Sequence, residues 1–214
     1  SVGAIRSSGW TFRGFLFIGL MIDESGPRTL EYNVRFGDPE AQAILPLVEG
    51  DFGVLMRGLA AGRLLEVVDE ARFGVRNGSA CAVVAASAGY PGPYQKNVPV
   101  RIDPVPQSSG LDDCTHLFFA GVTTRETQDE TAPNGSNAES GSTLPEREDR
   151  RNRLATAGGR VLAVTAWGDT LKEARRDAYS RLQLVHFDGM QYRTDIGGLS
   201  AVPSVLAEGV FNDQ

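Results

Sequence analysis

The sequence predicts an α+β protein, and three observations carry that prediction. Apolar runs of strand length recur along the chain, each bounded by Gly, Pro, Asn or Asp. Two of these runs, residues 14–22 and 29–36, flank a five-residue turn, Asp23-Glu24-Ser25-Gly26-Pro27, and should pair as an antiparallel hairpin. One helix-period stripe, Leu171, Ala174, Ala178, Leu182 and Val185, supplies a single packed helix.

The elements follow in order. The first dozen residues carry no strong pattern. Residues 14–22 are almost continuously apolar and read as a buried strand. After the hairpin, Gly37 lets the chain turn, Asp38 is placed to cap a helix starting at Pro39, and Glu40 lies in its first turn. That helix should bury Ile44, Leu45, Leu47 and Val48. Asp51 caps a second helix that runs through Leu55 and Leu59 to Gly62. Composition then shifts. Strands are expected at residues 80–86, 98–102, 117–123 and 160–167, with a Gly89-Tyr90-Pro91-Gly92-Pro93 turn after the first. Thr170 caps the packed helix, Asp188-Gly189 makes a turn, and residues 190–193 form a last short strand. Residues 127–153 are polar and nearly devoid of apolar side chains, the composition of a disordered insertion. The expected organisation is residues 1–63, residues 64–197 interrupted by that insertion, and a tail at 198–214.

Composition narrows the function. A net charge of −6 argues against a nucleic-acid surface. No run approaches the ~18 apolar residues that span a bilayer, and no charged-then-apolar signal opens the chain. Cys81 and Cys114 make no disulfide framework and read as buried thiols of a reduced, cytoplasmic compartment. Only Lys96 and Lys172 are lysines, and no GxxxxGK loop exists. His116 and His186 lack a partner at a telling spacing and read as structural, His186 at a helix end. Trp10 and Trp167 read as core or edge aromatics.

The chemistry concentrates in residues 31–42. Alternation in an extended strand puts Leu30, Tyr32, Val34 and Phe36 on one face, an ordinary core face, and Glu31, Asn33 and Arg35 on the other. Asn is disfavoured in strands and asks for a reason. Glu and Asn oxygens two residues apart suit Mg²⁺, with phosphate oxygens completing its octahedron. Arg35 could grip a phosphate or carboxylate in a fork. Asp38 and Glu40 have structural explanations as cap and first-turn acid, compatible with a role at a helix N-terminus that recognises an anion or amine.

Arg35-Phe36-Gly37-Asp38-Pro39-Glu40-Ala41-Gln42 resembles the signature of the phosphoribosylamine–glycine ligases, ATP-grasp enzymes of purine synthesis. Gly19-Leu20-Met21, Ile44-Leu45-Pro46-Leu47, Ala88-Gly89-Tyr90-Pro91-Gly92, the segment from Gly158-Gly159-Arg160 to Thr165, and the segment from Tyr192 to Gly197 resemble family segments in family order. The resemblance implies a carboxy-terminal piece of an ATP-grasp subdomain followed by a small, mainly β domain with one packed helix. It implies that ATP, glycine and 5-phosphoribosylamine are the substrates, joined through a glycyl phosphate. Glu31 and Asn33 would hold Mg²⁺ or Mn²⁺ and, with Arg35, the ATP phosphates. Arg35 would stabilise the phosphate or acyl phosphate, and Asp38 and Glu40 would orient the amine or glycine. Tyr90, Pro91, Gly92 and Arg160 become candidates for a surface facing that chemistry. The family's amino-terminal portion has no counterpart here, so the chain reads as a fragment that is inactive alone. In some fungal and animal members a second enzyme domain follows. Two other readings stand beside this one: an ATP-grasp ligase of another substrate, and a non-catalytic module derived from an enzyme.

Overall fold

The computed structural model describes residues 2–125 and 153–198. They form two compact units, the first reaching Gly78 and the second spanning Ser79–Ile196. Helices and strands mix in both, so the α+β class holds.

The first unit opens with a short helix, α1 (Val2–Ser7), which the sequence pattern does not announce. The hairpin follows as β1 (Phe17–Asp23) and β2 (Gly26–Asn33), paired antiparallel. Next come α2 (Glu40–Ile44), a 3₁₀ turn at Leu45–Leu47, and β3 (Val48–Glu49). α3 (Phe52–Ala61) is capped as expected: the Asp51 carboxylate accepts from Val54 N at 2.9 Å, and Gly62 ends it at φ 74°. α4 (Leu64–Val67) packs on α3, where Gly58 leaves room for the Val67 side chain. β4 (Gly74–Val75) pairs with β3. These two contacts keep residues 64–78 with the first unit, so the division falls between Gly78 and Ser79 rather than at residue 63.

Burial in this unit departs from expectation. Ile44 and Leu45 are exposed, and α2 contains no buried residue. The predicted core face of β2 is exposed too, with Leu30 at 64%, Tyr32 at 57% and Val34 at 74%. Among the described strands the hairpin forms a sheet of two. Trp10 is likewise exposed.

The second unit holds the main core. β5 (Ser79–Ala86) and β7 (Thr115–Phe119) flank β10 (Arg160–Gly168), and both pair with it antiparallel. A second sheet has the order β11 (Val185–His186), β6 (Pro99–Ile102), β9 (Leu154–Thr156), β8 (Val122–Thr124). A short helix, α5 (Leu111–Cys114), precedes β7. α6 (Leu171–Leu182) starts with a capping box in which Thr170 and Glu173 satisfy each other's backbone N–H groups. Its stripe is buried as predicted: Ala174, Ala178 and Leu182 are fully enclosed against Val83, Val161 and Val164. Val185 is also buried, but on β11 rather than on the helix.

Two strand predictions need correction. The run at 117–123 is split, because the chain turns at Ala120 and Gly121, whose N–H groups donate to Val161 O and Arg160 O. A Cβ at Gly121 would strike the Gly158 backbone, so this close approach requires glycine. Residues 190–193 contribute only a bridge between Gln191 and Ala86. The strands flanking the predicted insertion, β8 and β9, pair with each other. The insertion itself, except Arg153, and the tail after Gly198 lie outside the described residues. Among the described residues no helix is long and apolar enough to cross a membrane.

The contrast in burial sets a prediction. Leu182→Ala removes a fully buried side chain and should cost about 2–5 kcal/mol. Ile44→Ala, on an exposed site, should change stability by no more than about 0.5 kcal/mol. Urea unfolding of each variant, followed by circular dichroism, checks both; equal losses would contradict the burial pattern.

Candidate metal and phosphate site

The hairpin register builds the site. Phe17 faces Asn33, Ile18 faces Tyr32 and Gly19 faces Glu31, after which Leu20 faces Thr29. Leu30 is therefore the extra residue of a β-bulge, where two residues oppose one. This breaks the simple alternation read from the sequence, and Leu30 lines the same cleft as Glu31. The Glu31 side chain lies across Gly19, where a Cβ would stand 3.0 Å from Glu31 Cγ and 3.7 Å from Oε1.

Beyond Asn33 the strand ends and the chain bends. Arg35 turns back locally, and its Nη1 donates to Phe36 O at 2.7 Å. The Phe36 ring stacks on Phe15 with centroids 3.7 Å apart and lies 6.4 Å from Phe52 of α3, which pins this corner. Gly37 is buried, and any side chain there would collide with Glu40. A cis peptide joins Asp38 to Pro39. The N-cap position of α2 belongs to Pro39, with no side-chain cap. Asp38 is thus not the cap that the sequence suggested; its exposed carboxylate lines the cleft instead. Glu40 does lie in the first turn. At five residues α2 is too short to act as a directed dipole.

The result is a cleft of about 540 Å³ lined by Glu31, Arg35, Asp38 and Glu40, with Phe17, Ile18, Gly19, Leu20 and Leu30 as its apolar wall. Four of the five predicted residues come together. Asn33 does not line the cleft; it is half-buried opposite Phe17 at the end of β2. Among the described residues no group of three or more His, Cys, Asp or Glu could hold a metal ion. The Glu31 carboxylate would suit Mg²⁺ all the same, because Mg²⁺ is ordinarily held by one or two protein oxygens and completed by phosphates and water. Sequence reasoning missed Gly19 and Gly37 as the floor beneath Glu31 and Glu40; a glycine inside a strand pattern is the signal that could have found the first.

The other candidates belong to the second unit. In the second unit, the Tyr90–Gly92 turn packs over Gly159, where a Cβ would meet the Tyr90 ring. Ser87 Oγ donates to Gly158 O at 3.0 Å and Gln191 Nε2 to Tyr90 O at 2.9 Å, so the turn is firmly tied. His186 lies on β11, not at a helix end, and its Nε2 is 2.8 Å from Asp103 Oδ2. His116 is exposed and its ring rests against Phe118. Cys81 is buried, and that burial pushes its thiol pKa up. Cys114 is only half-buried; burial and the neighbouring Asp177 carboxylate raise its pKa.

Comparison with known proteins follows the same division. Residues 80–199 match the family described as phosphoribosylglycinamide synthetase, C domain, and residues 1–41 match its ATP-grasp (A) domain. The C-domain match alone spans more than half of the chain. The chain belongs to the phosphoribosylglycinamide synthetase family. It is 38% identical over 198 residues to the bifunctional purine biosynthetic protein of Schizosaccharomyces pombe, covering 92% of this chain and 21% of that protein. It is 38% identical to the phosphoribosylamine–glycine ligase of Rhizobium meliloti, covering 92% of this chain and 38% of that one. The crystal structure of the Thermotoga maritima phosphoribosylamine–glycine ligase superposes with a TM-score of 0.63 at 32% identity, over 91% of this chain and 39% of that one. The chain thus spans well under half the length of these relatives. Within the synthetase family, its fold is the carboxy-terminal piece of an ATP-grasp subdomain followed by a small, mainly β domain with one packed helix.

The tip of the β1–β2 hairpin carries a titratable support. Ser25 donates side-chain and backbone hydrogen bonds to Asp23, which hold this carboxyl below its ordinary pKa. A depressed folded pKa means that the contribution is complete above the unfolded value, about 3.9. It is lost as pH falls through the folded one. Carbon-13 titration of Asp23 should show the depressed value, and Ser25→Ala should return it towards normal.

Proposed function

We propose that this chain contributes the metal and phosphate side of an ATP-dependent ligase that joins glycine to 5-phosphoribosylamine, giving glycinamide ribonucleotide. In this reading the first unit is the end of the ATP-grasp domain and the second is the carboxy-terminal domain. The observation that carries it is the convergence of Glu31, Arg35, Asp38 and Glu40 on one cleft of a family member. Glu31 would hold Mg²⁺, or Mn²⁺ in its place, together with the ATP phosphates; Asn33, the other ligand expected from the sequence, lies outside the cleft. The ion, when bound, neutralises charge on the transferring phosphoryl group.

The protein's own groups do the remaining work. Phosphoryl transfer to the glycine carboxylate gives glycyl phosphate, and the amine of phosphoribosylamine displaces phosphate from it. Arg35 is the guanidinium of the cleft and takes up charge on the phosphate or acyl phosphate. Asp38 and Glu40 accept hydrogen bonds from an amine and so orient glycine or phosphoribosylamine. The acids are matched to an amine-bearing substrate and the arginine to an anionic one.

A chimera tests the reading. Exchanged for the matching region of the Rhizobium meliloti ligase, this chain should support glycine-dependent ATP hydrolysis. Glu31→Ala in that protein should lower turnover by about a hundredfold, the loss expected for a direct metal ligand. Magnesium dependence unchanged by Glu31→Ala would sink the assignment. The 214-residue chain alone presents Glu31 and Arg35 to solvent. Its affinity for Mg-ATP should be no better than roughly millimolar by calorimetry.

A further inference from the structure

We infer that Gly19 is a positioning residue for the Glu31 carboxylate, selected for the side chain it lacks. The inference rests on the metal reading given above and extends it to a residue that touches no ligand.

Gly19 lies in the interior of β1, paired with Glu31. Glycine in a strand is unfavourable because it costs conformational entropy and offers nothing to pack. A positive φ is not the reason, because the φ of Gly19 lies outside the left-handed region. Gly19 adjoins the register shift of the bulge, and it also leaves space. The Glu31 side chain crosses the hairpin over Gly19, and its Cγ sits at 3.0 Å from where a Cβ would stand. That separation is tighter than ordinary van der Waals contact, so an alanine would push the stem of Glu31 aside and its carboxylate with it. The three heavy atoms nearest that Cβ position all belong to Glu31. The displacement would therefore fall first on the ligand. A metal ligand moved by a fraction of an ångström loses affinity out of proportion to the movement, because Mg²⁺ and Mn²⁺ demand near-octahedral placement.

This gives Gly19→Ala two effects of opposite sign. Alanine has the better strand entropy, so thermal stability should be equal or higher. Metal affinity should fall by about tenfold, the lower end of what misplacing a ligand through its support costs. Mn²⁺ alone is the probe, titrated into the isotope-labelled 214-residue chain while paramagnetic broadening of the β1 and β2 amides is followed by NMR. The expected result is a higher Mn²⁺ midpoint for Gly19→Ala with an equal or higher melting temperature. A midpoint unchanged from wild type overturns the inference, as does a lower midpoint. Loss of binding accompanied by a lower melting temperature would show a merely structural role and also overturn it. Glu31→Gln separates the two levels. If it binds Mn²⁺ as wild type does, the metal reading itself fails; if it loses binding while Gly19→Ala does not, only the role of Gly19 fails.

Discussion

The register of the β1–β2 hairpin is the constraint on which the site depends. Pairing Gly19 with Glu31 fixes which side chain crosses which, and a slip of one residue would send Glu31 to the opposite face. The bulge at Leu30 matters for the same reason. It resets the phase of β2 between Thr29 and Glu31, so the acid emerges over a glycine rather than over Ile18. Phe36, stacked on Phe15, then stops the chain from sliding after the strand ends. Arg35 and Asp38 sit on either side of that anchor. Their approach to Glu31 is a consequence of the corner, not of strand alternation.

The second unit is organised around β10. It is the middle strand of its sheet, paired on both edges, and Val161 to Ala166 are all buried. Both of its faces are covered, which explains a continuous apolar run in place of alternation. α6 can lie close to it because Ala174 and Ala178 are small, and Leu182 fills the space beyond them. The Thr170–Glu173 capping box fixes where that helix begins. Where the Tyr90 turn meets Gly158 and Gly159, lack of side chains again permits the contact.

What the sequence made legible follows from how local the signal was. α3, α6 and the strands near residues 80–86 and 160–167 were readable because caps and apolar periods act within a few residues. The hairpin was readable from its turn. The exposure of Leu30, Tyr32 and Val34 was not, since alternation shows that a face is apolar without showing what covers it. Asp38 followed capping statistics, yet Pro39 occupies the cap position, and no local pattern distinguishes the two. The partnership of His186 with Asp103 joins residues 83 apart in sequence, beyond the reach of any spacing rule. Glu31, Arg35, Asp38 and Glu40 were found together because they are close in sequence; Asn33, two residues from Glu31, was placed with them by alternation and is not in the cleft.

The charge balance of the cleft bears on how it can work. Three carboxylates, Glu31, Asp38 and Glu40, face one guanidinium, Arg35. A phosphate arriving alone meets a site of its own sign. Arg35 also has one nitrogen committed to Phe36 O, which leaves fewer donors for a fork. A divalent cation changes that sign, because it would be the largest charge present. In open water each contact is worth only about 1 kcal/mol, so neither the acids nor the arginine holds phosphate by itself. On the proposed reading, phosphate would arrive with its cation as one complex, and the surplus carboxylates would be left for a positively charged amine. Gly19 and Gly37 fit the same logic: each gives up packing so that an acid can lie where a side chain would otherwise be. Stability is lost at two backbone positions, and in return two carboxylates are aimed into one cleft.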